Sequence, residues 1–405
     1  MKSYKFFIDN ANQICEVSIV DSSRIFRYMI ENGHKYTDNP SKADFIIINT
    51  CGFIEPARKT TINLFKKYNS FKKEKATIIM FGCIIKTNPE IIKSLNANPI
   101  GLYEGNKLDK LFYKNKKFED IEFYCDTETK QKLLIKKNDK KTKLPYLLLT
   151  DLTSPFFKKL KWNYNKILNS ISYKDFVFIE ICRGCMGNCS YCVIKKARGK
   201  ICSRTIPNIL SDIKKIYDPS KKLYLVANDS GCYGIDIKTN LINLLYKINE
   251  KFPKLSIELD YLNPFLLKKY SNEYIKLFKK SNIHYVTIPI QSGSRKILKN
   301  MNRNYDIKRV IKIIDKIKKV SPKTFIESHF IIGFPGENWI DFIKTMISAL
   351  HFDFPVPIKY YENKNTPSSF LPCHKSNFII SLRYNLSIIY FNFIIFFRLL
   401  SYPKF

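Results

Sequence analysis

Arg183-Gly184-Cys185-Met186-Gly187-Asn188-Cys189-Ser190-Tyr191-Cys192 is the stretch that decides how the rest of the chain is read. Its cysteines follow a C-x3-C-x2-C spacing. Three thiolates from one short loop can ligate three irons of a cubane cluster and leave the fourth iron open, as a catalytic metal site keeps an open position. Gly184 and Gly187 let the loop fold tightly round such a cluster. Zinc is the main alternative, but structural zinc ordinarily takes four ligands and no matching pair lies nearby. Cys182, just ahead of the loop, is read as a packed thiol, since free cysteines are commonly buried; a fourth-ligand role is its alternative.

Outward from this loop the chain alternates. Strands are expected at 176–181, 223–226, 256–259, 285–289 and 325–332. Basic amphipathic segments separate them, such as 307–320 with Ile and Val at helical spacing. Strand–helix alternation implies right-handed crossovers and a parallel sheet or barrel. Upstream, short apolar runs at 45–49 and 77–81 read as buried parallel strands. Each leads into a cysteine, in Asn49-Thr50-Cys51-Gly52 and Phe81-Gly82-Cys83. A candidate strand at 4–8 leads through a longer loop to Cys15. Asp21-Ser22-Ser23 is expected to cap a helix containing Ile25, Phe26, Tyr28 and Met29. The first unit is thus an open α/β domain, with Cys51 and Cys83 on the carboxyl edge where such sheets gather functional groups.

Residues 125–172 read as a Lys-rich connector, including Lys136-Lys137-Asn138-Asp139-Lys140-Lys141. A solvated linker is the plain reading and an RNA-contacting strip the sharper one. Near the end, 384–397 is an uncharged 14-residue run between Arg383 and Arg398. A membrane span needs roughly 20 apolar residues, and Asn385, Ser387 and Asn392 interrupt this run. A buried or interfacial helix is expected, without stable membrane insertion. The division is 1–124, 125–172, 173–370 and 371–405.

The 405 residues are 45% hydrophobic, which excludes a disordered chain. Net charge is +34, from 69 Lys and Arg against 35 Asp and Glu. That excess favours a polyanionic partner, nucleic acid before an anionic membrane, although Lys, Asn and Ile are abundant throughout, as a biased genome would produce. Four of the eleven cysteines fall between Cys182 and Cys192. With no apolar leader at the start, this points to a metal site in a reducing cytoplasm rather than to disulfides.

The cysteine loop resembles that of the radical S-adenosylmethionine (SAM) superfamily, and further segments resemble its methylthiotransferase branch. These are Ala197-Arg198-Gly199, Asn228-Asp229-Ser230-Gly231-Cys232-Tyr233-Gly234, Pro289-Ile290-Gln291-Ser292-Gly293-Ser294 with Leu298-Lys299-Asn300-Met301-Asn302-Arg303, Ile332-Gly333-Phe334-Pro335-Gly336-Glu337, and Thr366-Pro367-Ser368-Ser369. Cys15 with Ser18, Asp21 and Ser22 resembles that branch's C-x2-N-x2-D-S-E, with Ser18 for the usual Asn and Ile14 for the usual Gly. The resemblance covers about residues 4–370. It implies an open α/β methylthiotransferase domain followed by a partial (βα)6 barrel. The RNA-binding β-barrel module that usually closes such chains is expected to be absent, as only about 35 residues follow Ser369.

The resemblance also implies a mechanism. Cys185, Cys189 and Cys192 would hold a 4Fe–4S cluster whose open iron binds SAM, and one electron would split SAM to a 5′-deoxyadenosyl radical. Gly333, Phe334 and Pro335 would meet the adenine, with Tyr191 beside it. Asp229 would accept the SAM amino group and Arg303 pair with its carboxylate. Cys15, Cys51 and Cys83 would hold a second 4Fe–4S cluster that delivers sulfur. The implied partners are tRNA, a flavodoxin- or ferredoxin-type electron donor and a sulfur donor. The implied substrate is an adenosine beside the anticodon, of the archaeal and eukaryotic threonylcarbamoyladenosine type. A ribosomal-protein aspartate or other peptide is the alternative, and a non-catalytic iron–sulfur RNA-binding protein a second one. No role is assigned to Cys125, Cys202, Cys232 or Cys373. His329, on an expected barrel strand, is read as a satisfied core histidine in preference to a cavity group.

Overall fold

The computed structural model describes residues 2–11, 15–134, 176–364 and 366–401. The first sheet contains β1 (Lys5–Asn10), β2 (Lys35–Tyr36), β3 (Phe45–Thr50), β4 (Thr77–Gly82) and β5 (Asn98–Ile100). Their order is β2-β1-β3-β4-β5, and every pair is parallel. The second sheet contains β6 (Tyr124–Cys125), β7 (Phe176–Arg183), β8 (Cys202–Ser203), β9 (Lys222–Ala227), β10 (Ser256–Leu259), β11 (Ile283–Thr287), β12 (Phe325–Ile332) and β13 (Phe354–Lys359). Strands β7 and β9 to β13 run parallel side by side, with β6 and β8 antiparallel to β7. This is the expected α/β architecture, an open sheet followed by a six-stranded partial barrel. The helices that frame the site are α1 (Glu16–Glu31), α2 (Glu55–Asn69), α3 (Ile84–Thr87), α4 (Ile194–Arg198), α5 (Ile307–Val320), α6 (Trp339–Ala349) and α7 (Asn377–Ser401).

Strands buried on both faces need apolar residues at every position, and the first sheet shows it. Phe6, Ile8, Ile47, Ile79 and Phe81 pack with Ile25, Phe26 and Met29 of α1, whereas Phe7, Ile46, Ile48, Ile78 and Met80 pack with Leu64, Phe65 and Tyr68 of α2. In the barrel, Val177, Ile179 and Ile181 of β7 face the surrounding helices. Phe176 and Phe178 face inward with Tyr224 and Val226, and there they meet Val17, Ile19 and Val20 of α1. A helix of the first domain thus packs into the open side of the barrel. Burying each of those three aliphatic side chains stabilises the junction by about 1.5–3 kcal/mol, an upper figure.

Two expectations change. Asp21, Ser22 and Ser23 do not cap a helix; they lie inside α1, which starts at Glu16. The polar side chains are tolerated there because they are used elsewhere: Asp21 pairs with Arg183 and Arg198, and Ser22 accepts from Asn49 Nδ2 at 2.8 Å. Residues 125–134, assigned to the connector, continue the fold. Cys125 pairs across to Phe178, and Lys130 is buried with Nζ donating to Phe176 O at 2.6 Å. The Lys136-Lys137-Asn138-Asp139-Lys140-Lys141 strip lies outside the described residues. The tail is helical, as expected, and the helix runs past its uncharged stretch through both flanking arginines, each of which has a partner. Arg383 pairs with Glu337 and Arg398 donates to Leu350 O.

Candidate cluster and cofactor site

Six cysteines sit where chain geometry changes. Cys15 stands immediately before α1, and Ile19 N donates to its carbonyl at 3.0 Å. Cys51 follows β3 and Cys83 follows β4, whose ends are in register, Thr50 opposite Gly82. Gly82 is required there: its φ is +117°, and a Cβ would lie 2.7 Å from Thr50 O. Cys15 and Cys83 are each within electrostatic reach of Cys51, so parallel pairing gathers the three at one edge. Burial pushes the Cys15 thiol up to about 12 and raises Cys83, with Arg198 opposing both.

Arg198 is the hub of this edge. It is 2% exposed, and its Nη2 donates to Asp21 Oδ2 at 2.8 Å. Arg183 Nη2 donates to Asp21 Oδ1 at 2.7 Å and to Glu180 Oε2 at 2.8 Å. Burial would raise the Asp21 carboxyl, but Arg198 and Arg183 hold it below its usual range. Arg198 Nη1 is buried without a hydrogen-bonding partner, and Cys83 and Cys15 both lie within electrostatic reach of the guanidinium. Such a donor suits the sulfurs of an anionic cluster.

The second set lies on the loop between β7 and α4. Cys185 Sγ accepts from Gly187 N at 3.2 Å, and Cys192 Sγ from Ile194 N at 3.4 Å. Gly187 is cradled by sulfur: a Cβ there would lie 3.3 Å from Cys185 Sγ and 3.7 Å from Cys189 Sγ. Gly184 has φ +76°, and a Cβ would meet Lys200 O at 2.1 Å, so the loop turns back under its own exit strand. Burial pushes Cys185 and Cys192 up to about 12, helped by Asp229 for Cys185 and by Cys189 for Cys192. Thiols of this kind need a cation to displace their protons. Among the described residues no three His, Cys, Asp or Glu converge as a single ion would require. A cubane offers its irons at separate corners, which suits two sets of spaced sulfurs.

The remaining expected site residues surround this loop. Asp229, after β9, accepts from Asn263 Nδ2 at 2.9 Å and Cys232 Sγ at 3.2 Å, and Cys185 Sγ reaches it at 3.7 Å. Its Oδ1 is buried without a partner, as is Arg303 Nε. An orphan acceptor and an orphan donor within electrostatic reach of each other fit an amino acid's ammonium and carboxylate. Arg303 is anchored through Nη1 to Pro289 O at 2.7 Å. Tyr191 packs edge-on to Phe334 at 6.1 Å, and Phe334 to Tyr360 at 5.3 Å. Gly333 N donates to Glu337 Oε2 at 3.0 Å, which pins the turn that holds Phe334 and Pro335.

On the inner barrel wall, sequence reasoning weighed His329, read as a satisfied core histidine in preference to a cavity group, and passed over Asp260, Tyr261 and Glu327. Asp260 is buried after β10, its Oδ2 has no partner, and Glu16 and Glu327 lie within reach. Tyr261, with φ +34°, lies within electrostatic reach of Asp260 and Cys15, and its ring packs against His329 at 5.6 Å. His329 Nε2 meets Glu327 Oε1 at 2.8 Å. The signal was an acid at the carboxyl end of an otherwise apolar strand, with Glu327 and His329 two apart on β12. Cys182 is buried in the core, as read, and Cys232 bonds Asp229.

Residues 179–348 match the family described as the Radical SAM superfamily, and residues 12–100 match the uncharacterized protein family UPF0004. The chain is 32% identical over 347 residues to a tRNA-2-methylthio-N(6)-dimethylallyladenosine synthase of Buchnera aphidicola, an alignment spanning 82% of this chain and 73% of that protein. It is 29% identical over 377 residues to the ribosomal protein uS12 methylthiotransferase RimO of Carboxydothermus hydrogenoformans, spanning 90% and 77%. The RimO of Clostridium botulinum is 30% identical over 365 residues, spanning 88% and 75%. Among solved structures, the radical SAM methyltransferase TsrM from Kitasatospora setae shares the fold, with TM-score 0.57 at 12% identity over 91% of this chain and 75% of that one.

Proposed function

Because this chain belongs to the radical SAM methylthiotransferase family, we propose that it transfers its methylthio group to a tRNA adenosine held against the inner barrel wall beside Tyr261. The family's SAM and 4Fe–4S cluster supply, when bound, one-electron cleavage of SAM and the radical that opens an unreactive C–H bond. In our reading Cys185, Cys189 and Cys192 hold that cluster. Asp229 and Arg303 orient the amino acid end of SAM, and Tyr191 with Gly333, Phe334 and Pro335 encloses its adenine. Cys15, Cys51 and Cys83 hold a second cluster at the sulfur-delivering edge, under the Arg198 guanidinium.

The observation that carries the substrate reading is the wall itself. Tyr261 and His329 offer ring surface, and the buried, unpartnered Asp260 Oδ2 offers an acceptor, in reach of the Cys15 edge. Enzymes that act on a base stack it on aromatic groups and read its edge by hydrogen bonds. Asp260 suits an exocyclic N–H. The same wall disfavours an acceptor with its own carboxylate, which would add a negative charge beside Glu16 and Glu327, whose proximity together with burial already raises the Asp260 carboxyl. An uncharged N6 substituent therefore fits better than threonylcarbamoyl. The +34 surface suits the phosphate backbone around such a base.

A second reading, methylthio transfer to ribosomal protein uS12, is favoured by one observation: the uS12 relatives align with 88–90% of this chain and the tRNA relative with 82%. Mass spectrometry of tRNA nucleosides and of uS12, from cells with and without the gene, separates the two. Loss of a methylthioadenosine on deletion, with return on complementation, supports tRNA. Unchanged nucleosides with a uS12 lighter by one methylthio group replace that reading with the second.

A further inference from the structure

The carboxyl-terminal part of the chain has a charge pattern unlike the rest. No Asp or Glu follows Glu362 in the sequence. Helices α6 and α7 lie side by side and run in the same direction. At one end Arg383 Nη1 donates to Glu337 O at 3.0 Å and its guanidinium covers the Trp339 ring at 4.6 Å; at the other, Arg398 Nη2 donates to Leu350 O at 2.6 Å. Their inner faces belong to the barrel core, Phe391 packing on Phe330 at 5.3 Å. Their outer faces are apolar and exposed: Ile340, Ile343 and Ile347 on α6, and Leu386, Ile389 and Phe393 on α7, with Ile340 62% and Phe393 50% exposed. Soluble proteins rarely leave a contiguous apolar surface of this kind without a use for it.

We propose that this two-helix face docks on an anionic lipid membrane and lies along its surface. Charge selects the occupant. The cation on the face, Lys344, is exposed, and the acid on α6, Asp341, is buried against Lys296 and so presents no negative charge outward. A second copy would bring two chains of +34 together, Lys344 against a like surface, whereas an anionic bilayer supplies the opposite sign and an apolar interior at once. The orientation follows from packing. Asn377–Arg398 is long and apolar enough to cross a membrane. Crossing would strip Phe391 from the barrel and break the Arg383–Glu337 pair, whose side chains are at most 2% exposed. The helix therefore stays on the barrel and presents its other side to lipid, with Trp339 at the level where tryptophan prefers to sit.

The test uses the full chain carrying Trp162→Phe, which leaves Trp339 as the sole tryptophan. Vesicles of phosphatidylglycerol and phosphatidylcholine with brominated acyl chains are titrated in, beside vesicles of phosphatidylcholine alone. The expected result is quenching of Trp339 by the anionic vesicles, persisting as salt rises. The triple variant Ile343→Asn, Ile347→Asn, Phe393→Asn should lose vesicle affinity by about tenfold or more and keep its tRNA affinity. Binding without quenching, reversed entirely by salt, is adsorption of a basic protein and overturns the proposal. So does a dimer by light scattering that the triple variant converts to monomer, which would assign the face to a second copy.

Discussion

Asp21 and Arg198, 177 positions apart, meet at 2.8 Å with both side chains almost wholly buried. One lies on the helix that Cys15 opens, the other on the helix that follows the Cys185–Cys192 loop. This pair therefore joins the two cysteine sets physically. Removing one partner leaves an uncompensated buried charge, which typically costs about 3–5 kcal/mol. Arg198→Met should lower the urea midpoint markedly, and Asp21→Asn with Arg198→Met should recover part of the loss. Equal midpoints for wild type and Arg198→Met would remove the pair from the stability of the junction.

The second prediction concerns the two cysteine sets. Anaerobically reconstituted protein should carry about eight irons and eight sulfides, and the triple change of Cys185, Cys189 and Cys192 to Ala about half of that. Cys51→Ala should still cleave SAM to 5′-deoxyadenosine without sulfur transfer, whereas Cys189→Ala should lose both. Iron sufficient for one cluster only in the unmutated protein, or normal transfer by Cys51→Ala, would make the amino-terminal cysteines structural.

Glu258 sets a pH dependence. Burial raises its carboxyl from the ordinary 4.5 to about 8, and Lys222 at 4.0 Å opposes this only in part. The folded chain keeps a proton that the unfolded chain releases above pH 4.5, so the stability from this group is full below that pH and is lost as pH rises through about 8. Glu258→Gln should flatten the decline, leaving the variant the more stable form at pH 8 by roughly one to a few kcal/mol. Urea midpoints at pH 5 and pH 8 measure it; parallel slopes for the two proteins would contradict the assignment.

Substrate recognition gives the fourth prediction. Asp260→Ala should lower methylthio transfer about 5- to 100-fold, the scale of leaving a buried donor of the base without its partner, while uncoupled SAM cleavage persists. Charge reversal at Lys136, Lys137, Lys140 and Lys141 should weaken tRNA binding and reduce its salt dependence, since each phosphate contact contributes roughly 0.7–0.9 to the log–log slope. A salt slope unchanged by the reversal would move the RNA contact to another surface.

What could be read from the sequence alone was local. The C-x3-C-x2-C loop sets its own geometry, because seven intervening and flanking positions with two glycines leave three sulfurs little choice but to face one another. Strands ending in Cys51 and Cys83 were legible for the same reason, through short apolar runs that stop at a turn. The gathering of Cys15 with those two was decided by tertiary structure. It depends on β1, β3 and β4 pairing in parallel register, Asn10 beside Asn49 and Thr50 beside Gly82. Asp21 looked like a helix cap and is a mid-helix carboxylate, because its partners Arg183 and Arg198 arrive from the barrel. Asp260 and Glu327 were given no role in the sequence reading; the curve of the barrel and the entry of α1 bring them together. Spacing along a chain fixes neighbours within a turn or a strand; which distant charges share one dry interior follows only from how the layers pack.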